Sequence, residues 1–324
     1  MKIDIYTHIV PPKFKAALGK VAPQIEDHLG RVPTLFDMDR RFAILDKYTD
    51  MRQVLTLNKS AGAMFEDQKS GVDFARMAND EVAELVGKYP DRFAAGVASL
   101  PMTSMDAALK EADRAIQELG LKGIQLFTPI KDRPLEVQDF APLFEKMSEY
   151  DLPIWVHPDR PIDRDDYRKF YLNHVFGWPY ESTAAMTYLV LDGLFERFPG
   201  IKIIIHHCGA LAPFFDQRIV EAYDASATIF AMDHRGKLGR HPVDYFKMFY
   251  TDTALSGGTI GLMCGHAFFG ADHLLFGTDM PYDAELGDLM IRRTLLAVER
   301  MTVSDAEKKM IFGENAARLL GLKM

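Results

Sequence analysis

Eight short apolar runs recur along the chain, each followed by a longer amphipathic stretch, and this alternation limits the fold more than any other feature. The runs are KIDIYTHI (2–9), RQVLTLN (52–58), FAAGVASL (93–100), KGIQLF (122–127), LPIWVHP (152–158), IKIIIHH (201–207), MFYTDT (248–253) and HLLFGTD (273–279). Their nearly continuous apolar character suits strands covered on both faces, as in a parallel sheet flanked by helices. Between them, Phe74, Met77, Val82, Leu85 and Val86 fall close to helical spacing in a stretch that ends before Pro90. SMDAALKEADRAIQELG predicts a helix capped by Ser104 and stopped at Gly120, and TAAMTYLVLDGLFERFPG one stopped at Pro199-Gly200.

Eight strand–helix repeats within 324 residues predict an α/β chain folded as one distorted (β/α)8 barrel, a single domain over 1–324. The rival is a doubly wound open sheet, but no GxGxxG follows the first strand. Segments 10–35 and 158–180, after the first and fifth strands, read as long loops that wall or cover a site. The formal charge of −8, without a basic block, argues against nucleic acid or an anionic membrane as the main partner. No apolar run has the length of a membrane span or a secretory signal. With two cysteines, Cys208 and Cys264, no disulfide framework is expected, and a reducing cytoplasm fits best.

In such a barrel the active site lies at the C-terminal strand ends. There the sequence places Tyr6 and His8, Asn58, His157, His206 and His207, Asp252 and Asp279. Imidazoles and carboxylates meeting at a barrel mouth suit Zn²⁺ or another borderline divalent ion. Each alone has a plainer explanation: a satisfied core histidine for His8, a turn cap for Asp279. Alternation along a strand allows only one of His206 and His207 to face the axis, and spacing does not choose between them.

The segments IDIYTHIVP, WVHP, GWPYESTAAMTYLVLDGLFERFPGIKIIIHHCGA and FGTDMPY resemble the amidohydrolase-2 group. More narrowly they resemble its branch of aminocarboxymuconate-semialdehyde and γ-resorcylate decarboxylases, which also holds hydratases and hydrolases. The resemblance runs from residue 3 to about 320. It implies one divalent metal, zinc first and manganese second, bound by a His-x-His or Glu-x-His pair, a His and an Asp. These map to Tyr6 and His8, His157, and Asp279. It also implies that His207, in His207-Cys208-Gly209, is catalytic and that His206 packs toward the helices. Tyr6 departs from the pattern. Three readings follow: His8, His157 and Asp279 hold the metal with waters, Tyr6 coordinates as a phenolate, or the site binds metal weakly.

The expected activity is therefore a metal-dependent, non-oxidative decarboxylation of an aromatic or conjugated unsaturated carboxylic acid, with Asp279 as proton donor beside His207. Such a donor needs a carboxyl pKa shifted upward or coupled to a neighbour. A hydrolase acting on a lactone or amide, or a hydratase, would use the same parts, and a non-catalytic ligand-binding barrel is the remaining alternative. Candidate substrate contacts are Tyr6, Asn58, Arg160 as a carboxylate clamp and Trp178 as an aromatic wall, with Phe127 as a further wall. The resemblance also implies a homodimer or homotetramer.

Overall fold

The computed structural model describes residues 1–23, 29–61, 65, 67–131, 133–159, 169–229 and 238–323. Among the described residues there are nine parallel strands: β1 (Lys2–Ile9), β2 (Met51–Leu57), β3 (Phe93–Gly96), β4 (Ala98–Ser99), β5 (Ile124–Thr128), β6 (Ile154–Pro158), β7 (Ile203–Ile205), β8 (Tyr250–Asp252) and β9 (Leu274–Leu275). The predicted third strand is divided at Val97. Its first half pairs with β2 and its second with β5, so the chain passes from one sheet to the other at that residue. Val97 N–H donates to the Leu55 carbonyl and Ala98 N–H to that of Gly123, which carries the ladder across the break.

Closure comes from the opposite edge. Ile5 N–H donates to the Phe276 carbonyl, Asp279 N–H to that of Tyr6 and His8 N–H to that of Met280, each at 2.9 Å. The predicted (β/α)8 architecture is thus a closed barrel, distorted where β7 and β9 are short.

Side chains fill the barrel as in a packed core. Ile3, Ile5, Tyr6, Val54, Ala95, Val97, Trp155, Ile204 and Leu275 form one buried cluster, to which Ala316, Ala317, Leu319 and Leu320 also belong. The Trp155 indole N–H donates to the Ile5 carbonyl at 3.1 Å, spanning the interior. A larger cluster lies between strands and helices.

Those helices are α1 (Pro12–Val21), α2 (Met38–Leu45), α3 (Gln68–Lys88), α4 (Met105–Gln117), α5 (Val137–Tyr150), α6 (Trp178–Leu191), α7 (Leu194–Arg197), α8 (Asp216–Ile229), α9 (Pro242–Phe246), α10 (Thr259–Phe269), α11 (Asp288–Glu299), α12 (Asp305–Lys309) and α13 (Asn315–Leu320). Ser104 caps α4 as expected, accepting from Ala107 N–H. Two expectations need correction. Helix α3 buries Ala75, Ala78, Val82 and Leu85 rather than Phe74 and Met77, because its small residues let the helix approach the strands closely. The predicted helix after residue 183 is divided between α6 and α7 at Gly193, whose φ of 83° lies in the left-handed region that glycine adopts without strain.

The predicted loop 10–35 contains α1 and a 3₁₀ turn at Pro33–Leu35, and the one at 158–180 contains a π-helical turn at Asn173–Gly177. Among the described residues, no helix is long and apolar enough to cross a membrane.

Candidate active site

The polar strand ends do meet at the C-terminal mouth. Tyr6, fully buried on β1, is the hub. Its ring lies 4.9 Å from that of His8, 5.8 Å from His157, 3.5 Å from His206 and 5.9 Å from His207. The rings of His8 and His157 are 5.2 Å apart.

Backbone carbonyls orient two of these imidazoles. His8 Nδ1 contacts the Leu57 carbonyl at 3.3 Å and His157 Nδ1 the Pro158 carbonyl at 2.6 Å. In both, the proton belongs on Nδ1, which leaves Nε2 with its lone pair, the tautomer that binds a metal. His8 Nε2 then faces Asp279 Oδ1 at 3.0 Å. Two acceptors at that distance require a cation, a proton or a metal ion, between or beside them.

Burial, followed by the neighbouring imidazoles of His8 and His206, pushes the His157 pKa well below its usual value, so this ring is neutral at neutral pH. The donor chemistry therefore suits a divalent ion. Among the described residues, however, no three His, Cys, Asp or Glu side chains already enclose a common point, so gripping an ion requires side-chain movement.

The two adjacent histidines behave differently from the alternation rule. Strand β7 ends at Ile205, and His207, Cys208, Gly209 and Ala210 all have positive φ. Outside β conformation, successive side chains need not oppose each other, and both rings turn to the site. The expectation that His206 packs toward the helices is thus overturned: its ring stacks on Tyr6 within the barrel, the planes 14° apart. His207 Nε2 lies 3.7 Å from Asp279 Oδ2.

Asp252, at the end of β8, holds this turn. Its Oδ1 accepts from the backbone N–H groups of His207, Cys208 and Ala254, and its Oδ2 from His206 Nδ1 at 2.7 Å. Sequence reading placed Asp252 at a strand end without giving it a role. The short side chain in YTDT, facing a neighbouring strand end rich in histidine, was the available signal.

Asp279 also has a left-handed backbone, φ 64°, a strained conformation typical of functional positions. Burial works to raise its pKa, but contacts with His207 and His8 outweigh it and hold the carboxyl well below the usual range. For His207 the balance has the opposite sign. Burial disfavours the charged ring, while the Asp279 carboxylate outweighs it and raises the pKa. The expected upward shift of Asp279 is therefore not met. The phenol of Tyr6 is kept neutral by burial first and by Asp279 and Asp252 next. Its hydroxyl is close enough to Asp279 to feel that carboxylate both as a charge and as a hydrogen-bond partner.

The remaining candidates divide. Asn58 is half-buried at the end of β2 and hydrogen-bonds Tyr282, whose ring is 5.4 Å from that of His8. Tyr282 was missed because it follows the strand end by three residues. Phe127 lies against His157, with ring centroids 4.8 Å apart. Trp178 packs instead on His174 at 4.5 Å, at the start of α6, and no ring contact joins it to the histidine cluster among the described residues. Arg160 lies outside the described residues.

A family model described as amidohydrolase matches residues 3–322. The 2-amino-3-carboxymuconate-6-semialdehyde decarboxylase of Dictyostelium discoideum is 26% identical over 99% of this chain and 92% of its own length. The gamma-resorcylate decarboxylase of Polaromonas sp. (strain JS666) is 29% identical over 94% of this chain and 99% of its own. Among solved structures, a dihydroxybenzoic acid decarboxylase from Polaromonas sp. JS666, with bound manganese and the inhibitor 2-nitroresorcinol, superimposes with a TM-score of 0.80. It is 28% identical, with 99% of this chain and 96% of that chain covered.

Proposed function

Because the chain belongs to the amidohydrolase family, whose model spans nearly all of it, we propose that it is a divalent-metal-dependent carboxy-lyase that removes CO₂ from an aromatic or conjugated unsaturated acid. The observation that carries the reading is the His8–Asp279 contact, two acceptors held 3.0 Å apart beside a neutral His157. Its relatives are decarboxylases of such acids. His8, His157 and Asp279 are the residues that would hold manganese or zinc. A divalent ion bound there supplies positive charge to anchor and polarise an acidic substrate.

The chain's own groups account for the proton. Loss of CO₂ leaves the C–C bonding pair on carbon, and that carbon must take up one proton. His207, whose Nε2 faces Asp279 Oδ2 at 3.7 Å, is placed to carry that proton into the site. The ionised Asp279 receives it and presents it to the carbon, acting as a relay rather than as a resident acid. Phe127 beside His157 offers an aromatic wall, and Tyr282, hydrogen-bonded to Asn58, lies against His8.

Ionised Asp279 also suits a general base, which favours a second reading as a hydrolase of a lactone or amide. The exposed aromatics Phe170, Tyr171, Phe176 and Tyr180 support assembly into a homodimer or homotetramer. Two free cysteines support a cytoplasmic setting.

The test is elemental analysis of wild type and His157→Ala together with CO₂ release from ortho-hydroxybenzoates and from muconate semialdehyde acids. The reading expects roughly one Mn or Zn per chain, lost in the variant. A wild type that takes up neither ion rejects it. A metal-loaded protein that opens lactones and releases no CO₂ selects the hydrolase.

A further inference from the structure

We infer that His206 is a ligand of the divalent ion, replacing the donor that Tyr6 fails to provide at the first strand; the inference rests on the metal-dependent reading above. Tyr6 stands where the family resemblance expects a His or Glu ligand. The ring stacked directly on it belongs to His206, with centroids 3.5 Å apart. The position vacated on β1 is therefore covered by an imidazole from the end of β7.

Three observations show that this imidazole is set up to donate a lone pair. Its Nδ1 donates to Asp252 Oδ2, and Asp252 cannot turn away because three backbone N–H groups fix its other oxygen. The tautomer is thereby settled, and Nε2 is an acceptor. That Nε2 is fully buried and, among the described residues, has no hydrogen-bond partner. A buried acceptor with nothing to accept from is costly, and native proteins resolve nearly all of them. Finally, the ring lies 5.7 Å from that of His157, whose Nδ1 is anchored in the same manner. A carboxylate or carbonyl behind the distal nitrogen is how metal-binding imidazoles are oriented. Among the described residues no group hydrogen-bonds His206 Nε2, and a cation would satisfy it.

Asp252→Asn isolates the claim. The amide oxygen can keep all three backbone hydrogen bonds, while its NH₂ faces His206 Nδ1 and forces the proton onto Nε2. The lone pair is lost with little change in shape. Mn²⁺ binding would be measured on full-length wild type, H206Q, D252N, H157A and Y6F by EPR titration. Thermal melts would check folding, and ¹⁴N pulsed EPR would read imidazoles on the bound ion.

The inference expects H206Q and D252N each to weaken Mn²⁺ binding by at least roughly tenfold and Y6F to change it little. It also expects one fewer coordinated imidazole in H206Q than in wild type. Should H206Q misfold, D252N decides. Wild-type affinity in folded H206Q or D252N, with binding lost in H157A, overturns the inference and leaves the metal reading intact. Loss of binding in Y6F alone overturns it in favour of a phenolate ligand. No Mn²⁺ or Zn²⁺ binding by wild type overturns both.

Discussion

Asp4 gives the sharpest test of how burial controls this barrel. It is completely buried on β1, accepting from Thr278 N–H and hydroxyl and from Tyr6 N–H. Burial raises its pKa from 3.8 to about 7, despite those hydrogen bonds and the charge of Arg41. An acid with a raised pKa keeps, in the folded state, a proton that the unfolded chain has already released. Between about pH 4 and 7 the native state binds more protons, so stability falls as pH rises. A shift of about 3 units at about 1.4 kcal/mol per unit makes the loss about 4 kcal/mol across that window. Asp4→Asn has no proton to lose. Its amide can still accept from the two backbone groups and donate to the Thr278 hydroxyl. Urea unfolding of both proteins across that pH range, with m-values compared, measures the difference. The expected result is a stability curve for the variant that is flatter by about 4 kcal/mol over the window. Parallel curves for the two proteins would refute the assignment of a buried, proton-binding Asp4.

Other substitutions probe neighbouring features. In Gly265→Ala the new Cβ would sit 2.3 Å from Cys208 Sγ, and we expect a loss of about 1–3 kcal/mol by urea unfolding from overpacking behind the His207 turn. Ser104→Ala removes the α4 cap and should cost about 1 kcal/mol by the same assay. Phe127→Ala, which strips the ring beside His157, should raise KM for an aromatic acid severalfold while metal content is unchanged; an unchanged KM would remove Phe127 from the substrate wall.

How much of this was legible in the sequence depends on whether a residue's role follows from local pattern. Strands β1, β2 and β6 were readable because each is a largely apolar run that leads into a polar group. That His8, His157 and Asp279 share one mouth followed from that pattern once a barrel was assumed, while His207 was singled out by the family resemblance. The division at Val97 was not readable, because FAAGVASL has a single uniform pattern and only its two different neighbours split it. His206 was misplaced because alternation holds only inside a strand, and the strand stops one residue earlier. Arg41 drew no attention in the sequence, yet it is buried, with Nη1 donating to the His8 carbonyl at 2.8 Å and Nε to Gln53. Long-range partners of that sort leave no mark on the local sequence.

The seam that closes the barrel also dictates when the site can exist. His8 and Asp279 touch across 271 residues of chain, and the backbone bonds of Ile5, Tyr6 and His8 to 276–280 form the same join. Contacts of such sequence separation are slow to form, since the chain must lose much loop entropy before they reward it. On a ribosome, β1 waits for nearly the whole chain to emerge before it finds its second neighbour. Recovery of activity after dilution from denaturant should therefore lag behind recovery of helical signal. A ligand that bridges His8 and Asp279 would act as a latch on the last edge of the barrel to close.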